Sequence, residues 1–409
     1  MINTLVISVL FINLIINIKF LFKFNNLSEV SPILLGYFLF GSSIVTILSG
    51  YFVVGALIGY CLLIFTSLFY SQRFINTYRS NWQILIFLII IGFYFMFSLL
   101  INGAPFYGTI KSIEYVVLIS VFFIALTQLK NLLSIQKFIY FSNIFIISYL
   151  IIIVITLDPF NNTILTSTYR AGEDRIILSR FLIIGLIFTW YIIIDNKKLL
   201  GKILVLNIPI YIGLLLTAGA RGPILSLIIA LLFVTFKNQI KFYWLFLGFF
   251  FAFILYYKFA EFFMNNFLFF TRNLSLAEIG QHGERRFELI IQLLDYFKNI
   301  DVWQFIFGVG FGNSFSVIGM NYPHNMFIEL FVELGIVGIS VSLYLFYFIL
   351  IQIWNIHRSN IGVVILLSFL MYYISSMMSG KLTTNYSLFI FLALLINYNF
   401  SYKKLACFK

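Results

Sequence analysis

Residues 334–354 read LGIVGISVSLYLFYFILIQIW, an apolar run without one charged side chain. A helix needs about 20 such residues to span the hydrocarbon core of a bilayer. Similar runs recur along the chain, in which 62% of residues are hydrophobic and only 10% are charged. In soluble domains roughly 45–50% of residues are apolar and about 25% are charged. The runs are continuously apolar, while strands of a membrane β-barrel alternate polar and apolar residues. The sequence therefore predicts an all-α polytopic membrane protein.

About thirteen of these runs are long enough to be transmembrane spans. The predicted spans are 4–22, 32–49, 51–70, 83–102, 113–129, 137–157, 178–194, 199–217, 223–236, 242–260, 326–354, 361–379 and 385–400. Spans 32–49 and 51–70 meet at Gly50 and are also compatible with a re-entrant pair. The prediction is one transmembrane domain over residues 1–409 with about 12–13 helices.

Positive charges set the predicted orientation, because short cytoplasmic loops are rich in Lys and Arg. Basic residues recur in alternate connections and in the tail: Lys19, Lys23, Arg73, Arg79, Lys130, Lys137, Lys197, Lys198, Lys202, Lys237, Lys241, Arg358, Lys403, Lys404 and Lys409. We expect these connections and the C-terminus to be cytoplasmic. The N-terminus is then outside if every span crosses once, and inside if one of the first three does not.

Other basic residues occur on the predicted outer side, against this rule. A charged side chain at membrane depth costs roughly 2.5–3.5 kcal/mol on insertion scales, so it normally has a partner or lines a polar cavity. An anionic ligand is the simplest explanation, and arginine suits phosphate because one guanidinium binds two oxygens. The candidate ligands are Arg170, Arg175, Arg180, Arg221, Arg285 and Arg286. Each has a structural alternative: Arg221 could snorkel to the interface, and the others could pair with nearby acidic residues.

The longest loop, residues 261–325, is predicted on the outer side. It is too small and too apolar to form an independent core. Within it, residues 284–298 predict an amphipathic helix with Phe287, Ile291 and Leu294 on the apolar face and Asp295 opposite. Such a helix would lie on the membrane surface or cap a cavity.

Residues 308–338 combine a glycine-rich GVGFGN segment, a Tyr-Pro-His-Asn turn and two acids. The segment lacks G-x-G-x-x-G spacing and a preceding strand, which excludes a dinucleotide-binding fold. Its glycines are expected to permit a tight turn or a close approach of the backbone to a ligand. Asn325, Glu329 and Glu333 share one helical stripe through i, i+4 spacing. Buried acids need partners, and we expect an outer arginine to pair with them. The sequence contains no metal-binding motif, so metal-dependent transfer is disfavoured.

Four segments, in this order and spacing, carry a resemblance to a known family: LTAGARG (216–222), ERRFELI (284–290), FGVGFGN (307–313) and PHNMFIELFVELGIVG (323–338). They resemble the O-antigen polymerase and O-antigen ligase superfamily of polytopic membrane glycosyltransferases. The likeness covers about residues 158–355. The N-terminal third resembles the superfamily only in having hydrophobic spans.

The resemblance implies a GT-C-like, metal-independent glycosyltransferase without a cofactor. Its donor would be a glycan on undecaprenyl diphosphate at the periplasmic face of the bacterial inner membrane, with membrane lipid and a chain-length regulator protein as further partners and no nucleic acid. Arg221 and Arg286 would hold the diphosphate, assisted by Arg285 and the arginines of loop 158–180. His324 would deprotonate the acceptor hydroxyl, and Glu333 would orient an Arg or a His. Arginines can stabilise leaving phosphates, and imidazole suits proton transfer near neutral pH.

Three functions stay open. The richness in Phe and Ile and the modest length favour a polymerase, which joins repeat units, over a ligase, which transfers the glycan to lipid A core. A polysaccharide flippase would also explain cationic residues along a transport route. The chain shows no repeat relating two halves, a feature of many transporters.

Overall fold

The computed structural model describes residues 2–21, 31–41, 86, 88–100, 106–157, 173–196, 202–218, 220–238, 291–293, 295–296, 298–319, 325–356, 359–379 and 385–406. The predicted spans 51–70 and 242–260 lie outside these residues.

Helices make up nearly all of the described structure. In chain order they are α1 (Ile2–Leu21), α2 (Ser31–Gly36), α3 (Leu88–Leu100), α4 (Phe106–Gln128), α5 (Leu132–Leu157), α6 (Glu173–Asp195), α7 (Asn207–Ala218), α8 (Arg221–Asn238), α9 (Val302–Phe307), α10 (Phe315–Ile318), α11 (Met326–Asn355), α12 (Asn360–Ser379) and α13 (Tyr386–Ala406). A π-helical turn, Tyr37–Gly41, follows α2, and a 3-10 turn, Leu204–Leu206, precedes α7.

Five helices in the described part of the chain are long and apolar enough to cross a membrane. They are Tyr107–Gln128, Leu132–Ile155, Ile176–Asp195, Met326–Asn355 and Asn360–Met377. Several shorter apolar helices accompany them, and no strand occurs in the described ranges. The protein is an all-α polytopic membrane protein, as the sequence predicted.

Lysines near helix ends account for two errors in the predicted boundaries. The span predicted at 113–129 begins at Phe106, so Lys111 lies inside α4. The span predicted at 137–157 begins at Leu132, so Lys137 lies inside α5. Both lysines are buried. A helix continues through a charged residue when protein surrounds its side chain, so neither lysine marks a helix end. The apolar α11, predicted at 326–354, agrees closely with Met326–Asn355.

The described helices pack into two compact units. The first contains α1, α2, α5 to α8 and α12 up to Tyr372. A buried polar seam joins several of its helices: the Asn143 side-chain amide donates to Asn17 at 3.1 Å, and the Thr189 hydroxyl donates to Asn143 at 3.3 Å. Polar side chains of this kind hold helices together where no water is available.

The second unit contains α3, α4, α9 to α11, the remainder of α12, and α13. Three of its helices run in the same direction. Lys111 near the start of α4 contacts Glu329 near the start of α11. At the opposite end, the Asn399 amide of α13 donates to the Gln352 carbonyl of α11 at 2.8 Å, and the Ser401 hydroxyl donates to the carbonyl of Lys130 just after α4.

Candidate functional site

One lysine and two glutamates form a buried ionic cluster in the second unit. The Lys111 ammonium lies 2.7 Å from each carboxylate oxygen of Glu333 and 2.5 Å from an oxygen of Glu329. All three side chains are almost fully buried, at 2% exposure or less. Glu329 and Glu333 share one helical face, as their i, i+4 spacing predicted. The cluster therefore joins α4 to the first two turns of α11.

Other side chains enclose the Lys111 ammonium. It lies 5.1 Å from the centre of the Phe311 ring and 5.7 Å from that of Tyr107, within range of cation–π attraction. The Ser314 hydroxyl donates a hydrogen bond to Glu333. Taking charges out of water is costly, and the mutual attraction repays it only when the remaining polar atoms are satisfied. The cluster therefore fixes the relative position of its helices more than it adds net stability.

The glycine-rich segment lies against a break in α11. Gly335 adopts φ 58°, ψ −142°, which interrupts the helix. The turn then donates to α11 carbonyls, because the N–H of Val309 bonds to Val332 at 3.0 Å and the N–H of Gly310 to Glu333 at 3.1 Å. A Cβ at Gly308 would collide with the backbone of Glu333. The close approach that these glycines permit is therefore to another helix of the protein.

The far side of the same turn packs on α3 and α4. A Cβ at Gly312 would collide with the backbone of Gly108 in α4. The Phe311 ring stacks on Phe95 of α3 with centroids 4.0 Å apart, and the Phe311 N–H donates to the Ser98 hydroxyl at 3.0 Å. Three elements from distant parts of the sequence thus meet around the ionic cluster.

Asn325 caps the helix that carries both acids. Its side-chain oxygen accepts hydrogen bonds from the N–H of Phe327 at 2.9 Å and of Ile328 at 3.2 Å. Asn is among the preferred N-cap residues because it satisfies N–H groups that the helix leaves free. This cap fixes where α11 begins, directly after His324 in the sequence.

The described part of the predicted amphipathic helix is helical at 291–293, 295–296 and 298–299. Burial is known for some of its residues, and Asp295, predicted on the polar face, is exposed. Leu293 is buried and packs with Val332 of α11, whereas Ile291, expected on the apolar face, is 44% exposed. Contact with α11 decides which residues are buried. Burial and the nearby negative charge of Asp301 raise the pKa of Tyr296 to about 12, so its hydroxyl stays protonated at neutral pH.

The structure describes only some of the predicted site residues. Glu333 lies in the ionic cluster. Arg180 is half-buried in the second turn of α6, while Arg175 in the first turn of α6 and Arg221 at the first residue of α8 are described by their backbone alone. The remaining candidates lie outside the described residues: Arg170, Arg285, Arg286 and His324. Their roles stay predictions.

Sequence reasoning missed Lys111. It expected an arginine to pair with Glu329 and Glu333, and the side chain that the structure brings to both is this lysine. A signal was available: the predicted orientation puts residues 103–112 on the outer side, where Lys111 breaks the charge rule as the arginines do. Its place beside the span predicted at 113–129 made it look like an ordinary boundary residue.

Comparison with models of protein families gives a match. Residues 203–343 match a family model described as O-antigen ligase. This match supports the O-antigen ligase and polymerase superfamily, and we call residues 203–343 the superfamily domain. Members of the superfamily are glycosyltransferase-like enzymes. No curated protein matches the chain.

The superfamily domain covers about a third of the chain. It includes Arg221, Arg285, Arg286, His324 and Glu333. It excludes Arg170, Arg175 and Arg180 and also Lys111. The ionic cluster therefore joins two acids of the superfamily domain to a lysine outside it.

Proposed function

We propose that the protein is a polymerase of O-antigen or another surface polysaccharide. It joins oligosaccharide repeat units carried on undecaprenyl diphosphate, at the periplasmic face of the bacterial inner membrane. The match to residues 203–343 supports the superfamily on which this proposal rests, and that segment contains Arg221, Arg286 and His324. The richness in Phe and Ile and the modest length favour a polymerase over a ligase. A chain-length regulator protein is a proposed partner.

The proposed reaction is a displacement at the anomeric carbon of the donor glycan. The acceptor hydroxyl oxygen forms the new glycosidic bond, and the bond from that carbon to the phosphate oxygen breaks. Undecaprenyl diphosphate leaves with the electron pair, and His324 takes the hydroxyl proton. Arg221 and Arg286 stabilise the charge that develops on the leaving diphosphate, since fixed donors act most strongly where little water is present. Proton transfer by a positioned imidazole contributes about 10²–10⁴-fold.

The direction of the helices in the second unit supports an outer site. Lys130 follows the C-terminal end of α4, and Lys403 and Lys404 lie at the C-terminal end of α13. Under the positive-inside rule that end faces the cytoplasm. The opposite end, which carries Lys111 and Glu329, then faces the periplasm.

The ionic cluster fixes the start of the helix that follows the proposed base in the sequence. Lys111 holds Glu329 and Glu333 on the first two turns of α11, and Asn325 caps the same turns. A general base must stay within hydrogen-bond reach of the proton it takes. His324 directly precedes this helix start in the sequence, which supports its choice as the base.

A ligase is the second candidate, because the matched family model is itself described as O-antigen ligase. Deleting the gene and examining lipopolysaccharide on a gel separates the candidates. A polymerase mutant carries one repeat unit on lipid A core. A ligase mutant accumulates undecaprenyl-linked polymer that is not attached to the core. Repeat units trapped on the cytoplasmic face indicate a flippase and contradict both enzyme functions.

A further inference from the structure

The short helix α9 leaves its apolar side chains exposed. None of its residues is buried. Val302 and Trp303 are 72% and 73% exposed, and Trp303 stacks against the 43% exposed Phe307 at 5.8 Å. A cluster of exposed aromatic residues normally marks a surface that contacts a partner or a membrane.

The position of α9 beside α11 gives its height in the membrane. A Cβ at Gly335 would lie 2.5 Å from the carbonyl oxygen of Phe305, so the C-terminal turn of α9 is level with Gly335. From there to Trp354, which is 87% exposed, α11 continues for about 19 residues, or about 28 Å. The hydrocarbon core is about 30 Å thick. The C-terminal turn of α9 and Trp354 therefore lie about one hydrocarbon thickness apart along α11.

Helix α4 gives an independent measure. Gly108 touches Gly312, which belongs to the turn that follows α9. From Gly108 to Gln128, at the other end of α4, there are about 20 residues, or about 30 Å. Both helices thus put the glycine-rich turn at the membrane boundary opposite Lys130.

We propose that α9 is an interfacial anchor, with Trp303 and Phe307 in the headgroup region of the bilayer on the side of Lys111. Trp is enriched in this region because its ring is apolar and its N–H needs a polar partner. The side chains change from charged to aromatic just before α9, since the exposed Lys298–Asp295 ion pair precedes Trp303 and Phe307 in the sequence. The anchor fixes the long loop, and with it the ionic cluster, at the edge of the hydrocarbon. The inference needs only a membrane and not the proposed reaction.

Depth-dependent fluorescence quenching tests this placement. The full chain is reconstituted in phosphatidylcholine vesicles brominated either near the glycerol or near the chain end. Trp303 is kept as the only tryptophan by replacing the other four with Phe: Trp82, Trp190, Trp244 and Trp354. We expect a larger fluorescence loss from bromine near the glycerol than from bromine at the chain end. The variant that keeps only Trp354 is the matched control, and its quenching should show the same depth order.

Two outcomes would overturn the anchor. Strong quenching by aqueous iodide with none by either brominated lipid puts Trp303 in water, as a surface for glycan would be. Stronger quenching by bromine at the chain end puts it deep in the core. The difference in quenching between the wild-type chain and Trp303→Phe gives the Trp303 contribution with a single substitution, so the result does not depend on folding of the single-tryptophan variants.

Discussion

Lys111 and Glu333 are 222 residues apart in the sequence, yet the lysine ammonium lies 2.7 Å from both carboxylate oxygens. With Glu329 they form a cluster that binds α4 to the broken helix α11. The cluster lies directly below the cap that follows His324. Its removal therefore tests whether the start of α11 depends on a residue outside the superfamily domain.

Lys111→Met leaves two buried carboxylates without their ammonium and is expected to destabilise the protein. Losing one partner of a buried ion pair costs about 3–5 kcal/mol. Thermal unfolding of purified protein in detergent measures the loss. The triple variant Lys111→Met, Glu329→Gln, Glu333→Gln should recover most of it, because no charge is then left unpaired. Lys298→Met, at an exposed ion pair, is the control, and an equal melting temperature for Lys111→Met and the wild type would contradict the structure.

Gly308→Ala and Gly335→Ala are expected to destabilise the contact between the glycine-rich turn and α11. Both glycines have positive φ, and the added methyl group would meet backbone atoms that cannot move aside. Gly319→Ala is the matched control, since Gly319 has φ 63° but open space around it. It should show only the strain of the backbone conformation, about 1–3 kcal/mol. Denaturation measures the unfolding free energy of each variant. An equal loss for all three variants would mean that steric contact with the backbone is not the cause of the destabilisation.

Leu293→Ala should cost about 2–5 kcal/mol, the usual range for truncating a buried leucine. Ile291→Ala, two residues earlier and exposed, should change the unfolding free energy by about 0.5 kcal/mol or less. Denaturation of the two variants side by side measures both. A larger loss of unfolding free energy for Ile291→Ala than for Leu293→Ala would contradict the burial that the structure shows.

Arg221→Ala and Arg286→Ala are each expected to abolish long glycan chains while membrane insertion stays normal. The reason is the loss of a guanidinium that stabilises the leaving diphosphate. A lipopolysaccharide gel gives the chain-length ladder, and Lys298→Ala controls for loss of a positive charge in the loop that contains Arg286. Normal ladders from both arginine variants would falsify the proposed diphosphate contacts.

His324→Ala should suppress glycan transfer by about 10²–10⁴-fold while binding of the lipid-linked donor changes far less. Transfer rate and donor affinity are measured separately on the purified enzyme. Weak donor binding together with unchanged turnover of bound donor would assign the histidine to binding instead.

Several features could be predicted from the sequence because they depend on local patterns. The apolar run after Glu333 predicted α11, and i, i+4 spacing predicted that its two acids share a face. The glycines of 308–312 indicated a tight turn. The partner of the acids could not be predicted in this way, because the charge rule marks Lys111 as unusual on the outer side but does not say which helix its side chain contacts.

By itself, the sequence determined that this protein is a polytopic helical membrane protein with the motifs of the O-antigen ligase and polymerase superfamily. Its apolar runs need no knowledge of distant contacts to form helices in a bilayer. Only the tertiary structure decided that Lys111 neutralises Glu329 and Glu333 and that Leu293 covers α11. Both depend on which surfaces meet after the helices pack, and burial of a charge is tolerated only where such a partner arrives.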